Sequence, residues 1–145
     1  MSPNLILTDC NVSRFGYVGE NVTIVLPFWV QGNPAFVKIH DDVWMSGCVF
    51  LLANDVIDIG ARTQIGPGVH IYTGTHGLLA SERSNITNAP VYIGEDCWIG
   101  GCAVILYGVS IGPRTTVGAG SVVTRDVPSD VLVTGSPARV VRSLA

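Results

Sequence analysis

A beat of six residues governs this chain. From Ile93 onward an aliphatic side chain returns at every sixth position: Ile93, Ile99, Ile105, Ile111, Val117 and Val123. Glycine follows directly in four of these units, as Gly94, Gly100, Gly112 and Gly118. The beat is present earlier at Ile59, Ile65 and Ile71 and, more faintly, at Val18, Ile24 and Val30. Such a period fits neither the turn of a helix nor the plain alternation of a flat strand. It is the signature of a parallel β-helix, in which each hexapeptide forms one short side of a prism.

With the recurring aliphatic position called i, position i+4 holds Thr63, Val69 and Thr75 in the earlier block. In the later block it holds Cys97, Ala103, Val109, Thr115 and Ser121. All are small or β-branched, as a narrow prism with sharp corners requires of its second inward residue. Three hexapeptides complete one coil, and successive coils stack at the ~4.7–4.9 Å spacing of neighbouring strands. Glycine at i+1 relieves backbone crowding at the corners. Two interruptions break the register. Ile71 and Ile93 are not separated by a multiple of six, so a loop is expected to leave the coil over residues 77–90, which carry polar, Gly and Pro punctuation. Loops on rigid scaffolds are where binding residues gather. The other interruption is a turn at residues 31–34, after which residues 36–40 lose the period. Long helical patterns are absent, and any helix is expected to be short, after Pro137 or near the N-terminus.

At 145 residues, 48% hydrophobic and 13% charged, the chain is expected to form one folded domain, residues 1–145, and its composition argues against disorder. No apolar run approaches the ~18 residues of a membrane span. The first ten residues lack the basic and long apolar regions of a secretory leader, so a cytoplasmic protein is expected. Four irregularly spaced cysteines, Cys10, Cys48, Cys97 and Cys102, suit free thiols better than a disulfide framework. A net charge of −3 argues against nucleic acid as a partner. The charge is uneven, however. Residues 114–145 hold Arg114, Arg125, Arg139 and Arg142 against Asp126 and Asp130, whereas the rest of the chain is acidic. A small basic end suits either a compact polyanion or a solvated tail.

Three histidines are present, His40, His70 and His76. By register His70 and His76 fall at i+5, the outward slot beside a corner, and His76 stands where the loop emerges. An imidazole there is open to solvent, loop and neighbouring subunit, and can act as a general base near neutral pH. Trp98 and Trp29 occupy the same outward slot, and each needs cover from a partner subunit or a ligand. Cys97 occupies a small inward site and reads as core filler. The small residues at 117–121 either let a ligand approach the backbone closely or serve only the corners.

The stretches IYTGTH, PVYIGEDCWIGGCAVILYGVSIG and VGAGSVVTRDVPSDVLVTGSPARVVR resemble the maltose and galactoside O-acetyltransferases, over roughly residues 55–142. The resemblance implies an all-β, single-stranded left-handed parallel β-helix, to which a short C-terminal helix would be a minor addition. It implies a homotrimer that binds acetyl-coenzyme A (acetyl-CoA) between subunits and moves the acetyl group directly to a hydroxyl of a sugar or other small acceptor. His76 matches the catalytic base, and the Gly101 N–H matches the donor to the tetrahedral oxyanion. Trp98 matches a tryptophan beside acceptor and pantetheine, and Ala119 a main-chain contact to the pantetheine arm. Thr124, Arg125 and Arg142 match contacts to the nucleotide end; Arg125 stands where lysine is common. The family's asparagine-rich acceptor turn corresponds to residues 44–48, where Ser46 stands in its place, and Asn54 and Asp55 lie where an acidic acceptor contact is expected. No metal is implied. The N-terminal helical segment usual in the family is not expected here.

Two other classes share the scaffold. The γ-type carbonic anhydrases bind zinc through two histidines with four residues between them, whereas five separate His70 from His76. A non-catalytic coil serving as scaffold or ligand binder is the third reading.

Overall fold

The structure, a computed structural model, describes residues 11–145. Cys10, expected as a free thiol, lies outside the described residues, and near the N-terminus the described chain forms only a 3-10 turn at Val12–Arg14. Three walls of parallel strands build a prism. The first wall stacks Tyr17–Val18, Val37–Ile39, Ile57–Ile59, Val91–Ile93 and Ser110–Ile111. The second stacks Thr23–Ile24, Trp44–Met45, Gln64–Ile65, Trp98–Ile99, Thr116–Val117 and Val131–Gly135. The third stacks Phe28–Gly32, Val49–Ala53, His70–Tyr72, Val104–Ile105 and Val122–Val123. The chain visits the walls in that order, coil after coil.

The aliphatic beat is the core. Ile59, Ile65, Ile71, Ile99 and Ile105 are at most 1% exposed, and each such burial stabilises the fold by roughly 1.5–3 kcal/mol. The small i+4 residues fill what remains: Thr63, Val69, Cys97, Ala103, Val109, Thr115 and Ser121 are all buried. Buried hydroxyls are satisfied, Thr63 Oγ1 donating to Gly94 O at 2.8 Å and Thr115 Oγ1 to Pro128 O at 2.8 Å. The i+1 glycines are required by close approach. A Cβ on Gly94 would lie 2.5 Å from Pro113 N, and one on Gly100 2.6 Å from Ala119 N.

The beat does not stop at residues 36–40. Ile39, Met45 and Leu51 pair in register with Ile59, Ile65 and Ile71. The period is hidden because extra residues are inserted where the third wall turns into the first. One insertion is Gly32 and Asn33 followed by a 3-10 turn at Pro34–Phe36, with the Asn33 side chain accepting from Ala35 N at 3.0 Å. The next is Asn54 and Asp55. The third and largest is a hairpin arm, Gly74–His76 paired antiparallel with Ile86–Asn88.

That arm corrects two expectations. The chain leaves the coil at Gly74 rather than at Gly77, so His76 is on the arm and not on a wall. Thr75 therefore does not point inward; Thr73 is the buried threonine. Its Oγ1 donates to Leu52 O at 2.7 Å and accepts from the N–H groups of Asn54 and Asp55 at 2.9 and 3.0 Å, closing the neck. The helix expected after Pro137 is also absent. Ala138–Ser143 instead returns as a strand antiparallel to Val131–Gly135. The β-branched Val140 and Val141 suit that strand, which covers the free edge of the second wall. Among the described residues no helix is long and apolar enough to cross a membrane.

Candidate active site

Two edges of the prism flank the third wall, and the candidate residues divide between them. The edge from second wall to third carries the column Pro27, Gly47, Pro67, Gly101 and Ala119. Coil-to-coil bonding there uses the residue after each: Cys48 N donates to Pro27 O, Gly68 N to Gly47 O, Cys102 N to Pro67 O and Gly120 N to Gly101 O, at 2.7–3.0 Å. The amide of the column itself is spare, which is why proline fits at positions 27 and 67. At Gly101 and Ala119 the same position keeps its N–H, and neither donates a hydrogen bond to any described residue. Spare, fixed amides on a rigid edge are the parts from which an oxyanion site is made. Trp98 stands beside them on the second wall with 57% of its surface exposed. Ser46 lies on this edge two coils below the glycine that follows Ile99, its N–H bonded to Ile65 O at 2.9 Å.

The edge from third wall to first carries His76, Asn54, Asp55, Thr124 and Arg125. His76 is exposed at the end of the arm strand. Its Nδ1 lies 2.8 Å from the main-chain oxygen of Arg83. A carbonyl only accepts, so Nδ1 carries the ring proton and Nε2 presents a lone pair outward. A 3-10 turn at Ala80–Glu82 places that carbonyl. Asn54 and Asp55 sit at the arm's base. Asp55 accepts from Val56 N at 2.7 Å, so part of its carboxylate is committed to the turn. Thr124 and Arg125 emerge two coils above the arm and are exposed.

At the C-terminal end, Arg125 shares the lining of a hollow of about 300 Å³ with Val127, Val133, Ala138 and Arg139. In the sequence Arg139 stands out only as one of several basic residues. The return strand, formed where a helix is expected, brings it to the same hollow as Arg125. Arg142 lies on the same strand opposite Leu132.

The remaining candidates have structural partners. His70 Nδ1 and the Tyr72 hydroxyl are 2.5 Å apart, and Phe50 stacks on the ring at 5.5 Å. His40 Nε2 meets Asp58 Oδ1 at 2.8 Å. Burial pushes the Cys97 thiol up, and it donates to Gly112 O at 3.2 Å, so it is no nucleophile near neutral pH. Among the described residues no three His, Cys, Asp or Glu side chains stand together as a metal site.

A family model described as bacterial transferase hexapeptide (six repeats) matches residues 90–125. A hexapeptide-repeat acetyltransferase from Vibrio cholerae, solved with acetyl-CoA, is 38% identical and superposes with a TM-score of 0.89, over 92% of this chain and 73% of that one. A maltose O-acetyltransferase from Clostridium difficile is 30% identical with a TM-score of 0.88, over 92% of this chain and 72% of that one. These likenesses give the coil its hand: it is a left-handed parallel β-helix. A galactoside O-acetyltransferase from Lactococcus lactis is 33% identical over 132 residues, or 90% of this chain, which spans 64% of that relative's length.

Proposed function

Because the chain belongs to the hexapeptide-repeat acyltransferases of the maltose and galactoside O-acetyltransferase type, we propose that it moves an acetyl group from acetyl-CoA to a hydroxyl of a sugar or similar small acceptor. The observation that carries this is the fixed tautomer of His76. With Nδ1–H held by Arg83 O, Nε2 takes the proton of the acceptor hydroxyl as its oxygen attacks the thioester carbon. The Gly101 N–H stabilises the oxyanion that forms. Collapse breaks the carbon–sulfur bond, and the thiolate takes the proton back from His76 to leave as free coenzyme A. Relatives solved with acetyl-CoA or coenzyme A support the donor, and the names of the maltose and galactoside enzymes support a sugar acceptor.

His76 and Gly101 lie on opposite edges of one wall, so a site containing both takes one edge from each of two chains. A closed ring of heterologous contacts satisfies this, and a homotrimer is the assembly we propose. Each cleft then stacks its parts along the prism axis. Asn54 and Asp55 of one chain and Ser46 and Trp98 of the next meet the acceptor. Ala119 meets the pantetheine arm, and Thr124, Arg125 and Arg142 take the nucleotide end.

Thiol release from acetyl-CoA across sugars, nucleotide sugars, aminoglycosides and small alcohols tests the reading. His76→Ala is expected to lower kcat by ~10²–10⁴-fold, with calorimetric acetyl-CoA affinity and assembly size retained. Full turnover in that variant removes His76 from the mechanism, and failure of the parent chain to bind acetyl-CoA favours a non-catalytic coil.

A further inference from the structure

Parallel pairing carries each outward residue onto the outward residue of the next coil, so every wall displays vertical columns. On the second wall the column runs Trp44, Gln64, Trp98, Thr116. Trp44 is 48% exposed and Trp98 57%. Exposed aromatics also stand on the other walls, Trp29 at 44% on the third and Tyr17 and Tyr92 at 46% on the first. Trp29, however, is followed one coil up by Phe50, which packs on His70, and Lys38 and Asp58 both separate the two tyrosines. On the second wall Gln64 separates the indoles, and both stay uncovered.

Two strand steps set the tryptophans about 9.5 Å apart, with an exposed amide midway. That alternation of apolar platform, hydrogen-bonding group and apolar platform complements an extended β-linked glycan. In such a ribbon, alternate sugar rings turn the same C–H face to the wall, and the equatorial hydroxyls of the ring between them line the ribbon's edges, where a side-chain amide can meet them. The order along the axis agrees: the arginines lie at the C-terminal end, Gly101 in the middle, and Trp98 to Trp44 run away from both. We propose that the Trp44–Gln64–Trp98 column binds an extended β-linked glycan as the acceptor, with rings stacked on the two indoles and the Gln64 amide bonded to the ring between. The inference rests on the acceptor role given to Trp98 above and names the substrate class that role would serve.

Tryptophan fluorescence of the full chain, titrated without acetyl-CoA, tests it. Cellotetraose is expected to bind about tenfold tighter than cellobiose, whereas maltotetraose, whose α-linkages curve the chain, gains nothing over maltose. Trp44→Ala should reduce cellotetraose to cellobiose-level affinity, and Gln64→Leu should weaken it several-fold. Equal affinity for the tetraose and the biose in the parent chain overturns the proposal. So does Trp44→Ala dissociating the assembly in sedimentation, which would make that indole an interface residue. Because these titrations need no turnover, glycan binding in the absence of acetyl transfer would uphold the column and sink the transferase reading alone.

Discussion

At the scale of single residues, the second-to-third edge shows how one coil position can be structural in one turn and chemical in another. The five residues of the column occupy equivalent places, and the coil asks nothing of their amides. Proline therefore costs the ladder no hydrogen bond at 27 and 67, and glycine at 101 offers an N–H that the fold does not consume. Gly101→Pro is the direct test, with Gly101→Ala as its steric control. A Cβ at 101 would lie 3.1 Å from Pro67 O, a small adjustment. The proline variant is expected to lose about 10²–10³-fold in kcat while its melting temperature stays within a few degrees of that of the alanine variant. An alanine variant as inactive as the proline one would assign the loss to crowding and not to the amide.

At the scale of elements, the remaining edge, from first wall to second, has a different logic. Asn21, Asp42, Arg62, Asp96, Arg114 and Asp130 all turn the corner with left-handed φ between 55° and 59°. From Asp42 upward their charges alternate. Arg62 donates to both Asp96 oxygens at 2.8 and 2.9 Å, and Arg114 to both Asp130 oxygens at 2.6 and 2.9 Å. Hydrogen bonds from Arg62 and Arg114 hold the Asp96 and Asp130 carboxyls below the usual carboxylate range. A carboxyl depressed in the folded state contributes stability above its ordinary range and loses it as the pH falls through the depressed value. The parent chain should therefore melt higher than Asp130→Asn at pH 7, with the gap closing as the pH falls below the ordinary carboxylate range. A gap independent of pH would show that the pair contributes nothing through charge. These corner pairs are exposed and individually weak; repetition along one edge is what gives them weight.

At the scale of the whole molecule, the division of the site between two edges is the property with the most consequence. It predicts that two inactive chains rescue each other. His76→Ala and Gly101→Pro subunits, unfolded together and refolded at equal ratio, should assemble clefts of which about a quarter pair an intact His76 with an intact Gly101. Steady-state turnover of the mixture should approach a quarter of the parent rate, while each variant refolded alone stays inactive. A mixture as dead as its components would place both groups in one chain and rule out the shared cleft.

The hexapeptide beat by itself determined the coil, because a narrow prism accepts only one aliphatic and one small inward residue per side, and this restriction is written directly into the sequence. Wherever the beat was regular, as from Ile93 to Val123, burial followed it position by position. It was illegible where residues were inserted at a corner, since an insertion shifts the count without disturbing the inward pattern; Ile39, Met45 and Leu51 were hidden in this way. The C-terminal strand was decided by the open edge it covers, a demand that no local pattern expresses. Pairing fixed the rest: that His76 leaves the wall on an arm, that Arg139 joins Arg125, and that Trp44 stands two strands from Trp98 are consequences of which coils lie against each other. A single sequence carries period but not neighbourhood, because contacts between residues a coil apart exist only once the chain has closed its turns.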